Sequence, residues 1–333
     1  MQIEEHILLG PLTTFQIGGP ARFFARVQSV DELKEAFTFA KEKNLKVFIL
    51  GGGSNVLVDD AGFDGLVVKV ELMGVEEGCT ALVAAAGENW DALVAHAVDK
   101  NAWGIENLSG IPGTVGGAVV QNIGAYGQAL SQTLAWVEVF DTQTSSVERL
   151  AKEKLNFGYR GSLFKQEEGR YVVLKAAFDL SPTPAPSVTY KDLAARFAGQ
   201  TPSILDIRHA VLEIRANKFP DLLMEGTAGS FFKNPIVKEE EAKKLQETYP
   251  DLPTFAMPET SGVKVPLAWL FDHALNLRGT NVGGARLFEK QLLVIAAAKK
   301  TSSHDVRALA EKVSAEIKNK CNITIEPEVK IIV

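Results

Sequence analysis

Apolar and polar positions along this chain follow two rhythms. In the first third, short apolar runs of strand length alternate with stretches of helical period, an α/β pattern. Residues 22–27 (RFFARV) read as a strand, and Ser29 with Glu32 three residues on makes a capping box that opens a helix through about Lys43. Residues 46–50 (KVFIL) predict a short buried strand running straight into GGGSN; residues 56–58 look extended and residues 65–70 predict another strand. Over residues 89–101, Leu93, Val94, Ala97 and Val98 recur at helical spacing. Strand-like runs return at 135–140 and 171–178, and SPTPAPS at 181–187 is a proline-rich linker. Residues 203–218 predict a helix with Ile204, Ile207, Val211, Leu212 and Ile214 on its apolar side. A second compositional unit begins near Phe219. It carries helices near 238–247 and 267–275, an amphipathic helix over 303–320, and a terminal strand, ITIEPEVKIIV.

Composition narrows the classes. The 333 residues allow two or three domains, and 46% hydrophobic with 23% charged residues is ordinary for a soluble globular protein. A net charge of −6 argues against a nucleic-acid-coating role but leaves room for a local basic pocket for one anionic metabolite. The longest apolar run, residues 292–298, is far short of a membrane span, so no membrane partner is expected. The start, MQIEEHILLG, lacks the basic-then-apolar order of a secretion signal. Cys79 and Cys321 match no zinc or redox spacing and read as buried free thiols; a reducing, cytoplasmic location is expected. His6, His96, His209, His273 and His304 are scattered, and no metal site is expected.

The glycines carry the first chemical signal. A strand running into GGGSN suggests a dinucleotide fingerprint, but the sixth position is Val56 and no helix pattern follows, so that reading fails. A nest of N–H groups for a diphosphate and a plain structural turn both fit GGGSN alone. The stretch 108–127, LSGIPGTVGGAVVQNIGAYG, holds six glycines and no formally charged side chain. Two separated, neutral glycine loops after an α/β start suit a large ligand with a diphosphate in its middle.

LGGGSNVLV, GIPGTVGGAVVQNIGAYG, FGYRGS, GSFFKNP and IEPEV occur in that order. Together they resemble the UDP-N-acetylenolpyruvoylglucosamine reductase family, flavoenzymes of bacterial peptidoglycan synthesis, over nearly the whole chain. SVTYKDL is similar to the insertion of the longer-looped, type I subclass. The resemblance implies an α+β protein: an FAD-binding fold of two α/β subdomains of the vanillyl-alcohol-oxidase kind (residues 1–70 and 71–218). A C-terminal α+β substrate-binding domain (219–320) and a terminal strand (321–333) would follow. It implies FAD contacts from Gly51, Gly52, Gly53, Ser54, Asn55, Ile111, Pro112, Gly113, Thr114, Gly116, Gly117, Asn122, Gly124 and Ala125. Backbone N–H groups of both loops would meet the flavin diphosphate. No histidine lies in either loop, so noncovalent FAD is expected.

The implied reaction reduces the enolpyruvyl ether of UDP-N-acetylglucosamine enolpyruvate to a lactyl ether. NADPH delivers hydride to flavin N5 and leaves, and the flavin returns hydride to the vinyl carbon. A proton donor must then quench the charge that builds beside the carboxylate. The resemblance gives Ser230 that role, has Glu326 hydrogen-bond the substrate carboxylate as the neutral acid, and pairs Arg160 with the same carboxylate. Taken by themselves, Ser230 reads rather as a turn or cap serine, and Arg160 equally as a surface arginine. Glu328 sits on the same strand face as Glu326, so the residues alone do not choose between them. Tyr190, Lys218 and Asn234 match the family's diphosphate contacts, Tyr126 its sugar side, and Gln291 is a further substrate candidate. A helix-end lysine is the plain reading of Lys218. A monomer with no separate NADPH fingerprint is expected. The rivals are another FAD oxidoreductase of the same fold and a catalytically dead flavin- or nucleotide-sugar-binding protein.

Overall fold

Local signals start the elements. In the computed structural model, which describes residues 1–78, 81–257 and 261–333, Ser29 accepts the Glu32 N–H and opens the helix Val30–Glu42. Glu32 returns its carboxylate to the Gln28 N–H at 2.7 Å, one residue upstream of the usual capping-box target. Strand Lys46–Leu50 pairs in parallel with Phe63–Val70, which pairs in parallel with Pro20–Val27 on its other side. Ile3–Leu8 completes this four-stranded sheet. Leu66, Val67 and Val68 of the central strand are wholly buried, as expected where a parallel strand is covered on both faces.

The chain divides into two bodies: residues 1–7, 21–53 and 63–217, and residues 8–20, 54–62 and 218–333. The change of body falls inside GGGSN, after Gly53. Besides its parallel sheet, the first body has a five-stranded antiparallel sheet. Its strand order is Ser146–Ala151, Leu134–Asp141, Tyr171–Asp179, Ala81–Ala85 and Val75–Glu77. One core joins both sheets with the helices Trp90–Asp99 and Ile204–Lys218. Trp90 is fully buried, packs edge-on to Phe178 at 5.7 Å, and donates its indole N–H to the Leu108 carbonyl at 3.0 Å. Of the expected apolar side of Ile204–Lys218, Ile204, Ile207 and Val211 are buried, while Leu212 and Ile214 are only partly covered.

The second body is built on the three-stranded sheet of Asn281–Val282, Ala285–Phe288 and Gln291–Ala297, backed by the helix Ser303–Cys321. Phe231, Phe232 and Phe271 interlock edge to face in its core, with centroids 5.1 and 6.0 Å apart. Residues 226–232 run beside Gln291–Ala297. Gly226 and Ala297 exchange both backbone hydrogen bonds at 2.8 Å, the Phe231 N–H donates to Leu293, and Ser230 bridges Val294.

Three local expectations change. Residues 267–275 are not one α-helix but a short α turn, Leu267–Trp269, followed by a π turn, Leu270–Ala274. The terminal strand shrinks to Lys330–Ile332, paired in parallel with Val56–Val58, because the chain bends at 328–329. Cys321 is a free thiol but only partly buried, and burial pushes it up from its ordinary value; Cys79 lies outside the described residues. Among the described residues no helix is long and apolar enough to cross a membrane.

A Cβ on Gly226 would lie 1.9 Å from the Phe15 carbonyl oxygen, so this segment reaches the sheet only with glycine there. Gly226→Ala is expected to lower unfolding free energy by about 3 kcal/mol or more. Urea unfolding measures it; a loss below about 1 kcal/mol would mean the backbone adjusts freely.

Candidate functional site

GGGSN leaves the C-terminal end of Lys46–Leu50, and its first two glycines lie against the second glycine loop. A Cβ on Gly51 would sit 2.7 Å from Thr114 Oγ1, and one on Gly52 would sit 2.5 Å from Gly113 Cα. Only bare backbone permits that approach. Among the described residues, none of the N–H groups of residues 51–55 is spent on a turn, cap or loop hydrogen bond. Asn55 is anchored instead by its side chain and carbonyl: Nδ2 donates to Glu328 O at 3.1 Å, and O accepts from the Lys330 N–H at 3.1 Å.

The second loop contains a helix that its two adjacent glycines concealed. Past Ile111 and Pro112, Gly113 takes φ +124°, Thr114 caps with its hydroxyl facing the Gly117 N–H, and Val115–Gln121 is helical. The N–H groups of Val115 and Gly116 are spent on the Glu88 and Ala86 carbonyls, each at 2.9 Å. Gly116 is also a packing glycine, since its Cβ would lie 3.0 Å from that of Ala86. Residues 51–55 therefore form the larger group of open donors.

Three side chains beyond the helix stand on left-handed backbone: Asn122 at φ +43°, Tyr126 at +48° and Arg160 at +55°. Asparagine tolerates this, but for tyrosine and arginine it costs on the order of 1 kcal/mol each. Tyr126 and Gly127 (φ +86°) form the turn that pairs Gly124–Ala125 with Gln128–Ala129. Arg160 lies in a turn closed by reciprocal hydrogen bonds between Gly158 and Gly161. Asn122 ties the two together by donating from Nδ2 to Gly158 O at 3.2 Å. Arg160 Nη2 donates to Gly124 O at 3.1 Å, and a Cβ on Gly124 would sit 3.3 Å from Arg160 Nη1.

Tyr126 is 7% exposed and stands edge-on to the exposed Tyr190 at 5.5 Å. Burial pushes its phenol up to about 12, against the pull of the hydrogen-bonded Arg215 guanidinium. Arg215 Nε also donates to Gly110 O at 2.9 Å, while the Gly110 N–H donates to Asp91 at 2.6 Å. Arg208 forks onto both Asp91 oxygens at 2.7 and 2.9 Å. The helix Ile204–Lys218 thus braces the start of the second loop. Sequence reasoning missed Asp91, Arg208 and Arg215. The two arginines stand seven residues apart on one helix, a spacing that places them on one face.

In the second body, residues 231–233 pair with residues 326–328. Lys233 N–H donates to Glu326 O at 3.0 Å, Glu328 N–H to Phe231 O at 2.7 Å, and Phe232 bridges Pro327. Ser230 and Glu326 therefore lie on neighbouring segments. Ser230 is partly exposed, and among the described residues its hydroxyl makes no hydrogen bond. The Glu326 side chain is 75% exposed and pairs with Lys233 at 3.3 Å. Glu326 and Glu328 flank Pro327 in this pairing; Glu326 is exposed and Glu328 partly buried. Asn234 Oδ1 accepts the Leu267 N–H at 2.9 Å. Gln291 opens the last strand of the three-stranded sheet, and Lys218 ends the helix Ile204–Lys218. A cavity of about 450 Å³ beside Asp59, Asp60, Arg307 and Glu311 is a structural joint: Asp60 caps the Ser303 N–H, and Asp59 pairs with Arg307.

Residues 21–151 match the family described as an FAD binding domain, and residues 221–332 that described as UDP-N-acetylenolpyruvoylglucosamine reductase, C-terminal domain. The chain is 39% identical to the UDP-N-acetylenolpyruvoylglucosamine reductase of Neisseria gonorrhoeae, over 96% of this chain and 94% of that protein. It is 38% identical to that of Salmonella choleraesuis, over 97% and 95% respectively. The crystal structure of the Thermus caldophilus enzyme superposes with a TM-score of 0.73 at 25% identity, covering 100% of both chains.

Burial works to raise the Asp91 carboxyl, but the Arg208 fork and the Gly110 N–H outweigh it and hold it below the ordinary 3.8. A depressed carboxyl stabilises the fold fully above its unfolded value and stops doing so as pH falls through its folded one. Asp91→Asn should therefore cost about 1.5–3 kcal/mol near neutrality. The gap to the parent should narrow as pH falls below 3.8. Thermal melts across pH check this; a gap constant to strong acid would count against the ion pair.

Proposed function

The chain belongs to the UDP-N-acetylenolpyruvoylglucosamine reductase family, and on that premise we propose that it converts UDP-N-acetylglucosamine enolpyruvate to UDP-N-acetylmuramate with NADPH and noncovalently held FAD. It is an FAD-containing oxidoreductase of peptidoglycan synthesis. The observation that carries the finer reading is the meeting of two neutral glycine loops at Gly52 and Gly113, beside N–H groups that among the described residues meet no protein acceptor. Such a cradle fits a diphosphate: the anion accepts from several N–H groups, and no side chain holds it off. Gly51, Gly52, Gly53, Ser54 and Asn55 supply most of those donors, joined by Gly113 and Thr114.

Bound FAD would supply hydride chemistry between NADPH and the vinyl carbon. This chain's side chains do the rest. Arg160 offers its planar fork to the substrate carboxylate as charge spreads into it. Its strained backbone supports the role, since strain of that kind persists where the surroundings fix a side chain's direction. Ser230 donates the proton to the carbon beside the carboxylate. Glu326 hydrogen-bonds that carboxylate, giving up its exposed pair with Lys233 to do so. Lys218, Asn234 and Tyr190 hold the UDP diphosphate, Tyr126 the sugar, and Gln291 is a further substrate contact. The protein works as a monomer.

The purified protein is expected to be yellow, to bleach with NADPH under anaerobic conditions, and to recover colour when the enolpyruvyl nucleotide is added. Ser230→Ala should slow only the recovery, by about 10²–10³. Stopped-flow absorbance separates the two half-reactions; equal slowing of both would remove Ser230 from the proton-donor role.

A further inference from the structure

The strand Phe63–Val70 carries a single cation, Lys69, half-buried among apolar neighbours. In the parallel register Lys69 lies opposite Leu50, the last residue before GGGSN. Its ammonium donates to the Gly51 carbonyl at 3.1 Å. Glu71, the nearby carboxylate, is engaged by Arg26 at 2.6 Å. Burial pushes the Lys69 ammonium below its ordinary range, with Glu71 opposing and Arg26 adding to the effect. A cation partly withdrawn from water to serve one loop carbonyl calls for a function beyond packing.

Peptide geometry supplies one. In a trans peptide the C=O and the following N–H point in opposite directions. Holding the Gly51 oxygen toward the strand turns the Gly52 N–H to the opposite side of the loop, where among the described residues it meets no protein acceptor. With glycine on both sides, this peptide has little steric reason to prefer one orientation over its reverse. A reversed peptide would present a carbonyl oxygen to the anion in place of a donor.

We propose that Lys69 is a positioning residue for the flavin diphosphate, holding the Gly51 carbonyl so that the Gly52 N–H faces the anion. This rests on the flavin reading above and goes beyond it in assigning the loop's orientation to one side chain outside both glycine motifs.

The test strips FAD from the parent, Lys69→Met, Lys69→Gln and Lys69→Arg, and titrates it back by flavin fluorescence, with ³¹P spectra of the bound diphosphate. Lys69→Met should weaken FAD binding about tenfold or more and shift the ³¹P resonances, because no side-chain donor then fixes the peptide. Lys69→Gln and Lys69→Arg, which keep a donor, should stay within about threefold of the parent. Parent-like binding by Lys69→Met overturns the proposal, as does equal weakening of all three variants, which would mean packing alone. Recovery by arginine but not glutamine also overturns it, assigning the effect to charge. Should Lys69→Met not fold, Lys69→Leu, which also lacks a donor, decides by the same threefold and tenfold limits. A parent that takes up no FAD would end the flavin reading itself, a result the same titration distinguishes.

Discussion

The distance between residues 51–52 and residues 113–114 is the constraint on which the rest of the first body's site depends. A Cβ on Gly52 would come within 2.5 Å of Gly113 Cα, closer than real Cβ contacts come. The loops belong to elements built in different ways. One follows a parallel strand, and the other leads into a short helix whose first N–H groups are donated to residues 86–88. Because those donors are consumed, the second loop is a rigid wall more than an anion nest. The first loop keeps its donors open, and Lys69 holds the Gly51 carbonyl from behind.

Around that wall the fold accommodates strain at few positions. Tyr126 and Arg160 occupy backbone conformations that bulky residues avoid, and each is held by more than one neighbour. Gly124 leaves room for the Arg160 guanidinium and accepts from it; Asn122 grips the Arg160 turn; Arg215 holds Tyr126 and Gly110 together. The helix Ile204–Lys218 acts as a splint, fastened by the Arg208–Asp91 fork. In the second body a comparable economy places Ser230 and Glu326. Both lie on irregular segments, yet these segments are tied to each other and to the sheet by backbone hydrogen bonds, which makes their positions as defined as those of strand residues.

Much of this was legible in the residues alone. Period and capping chemistry placed Val30–Glu42, Trp90–Asp99 and the strand Lys46–Leu50 close to their observed bounds, because those signals act within a few residues of chain. The ordered motifs GGGSN, IPGTVGG, FGYRGS, GSFFKNP and IEPEV identified the family and hence the fold, and the family matches agree. Where local preference competed with packing, the local reading failed. A Gly-Gly pair concealed the helix Val115–Gln121, and alternating apolar residues near the end overstated a strand that a bend at 328–329 interrupts.

The amino-acid sequence by itself thus determined which residues are without side chains, which segments coil or extend, and the reductase family to which the chain belongs. Only the tertiary structure decided what those glycines touch, that Val115 and Gly116 have no donors to spare, and that Lys69, Asp91 and Arg215 serve the loops. Hydrogen bonds between residues 18, 19 and 105 positions apart leave no periodic trace in a single chain. They arise from where the sheets and the helix Ile204–Lys218 pack, and that is settled by burial of the whole core.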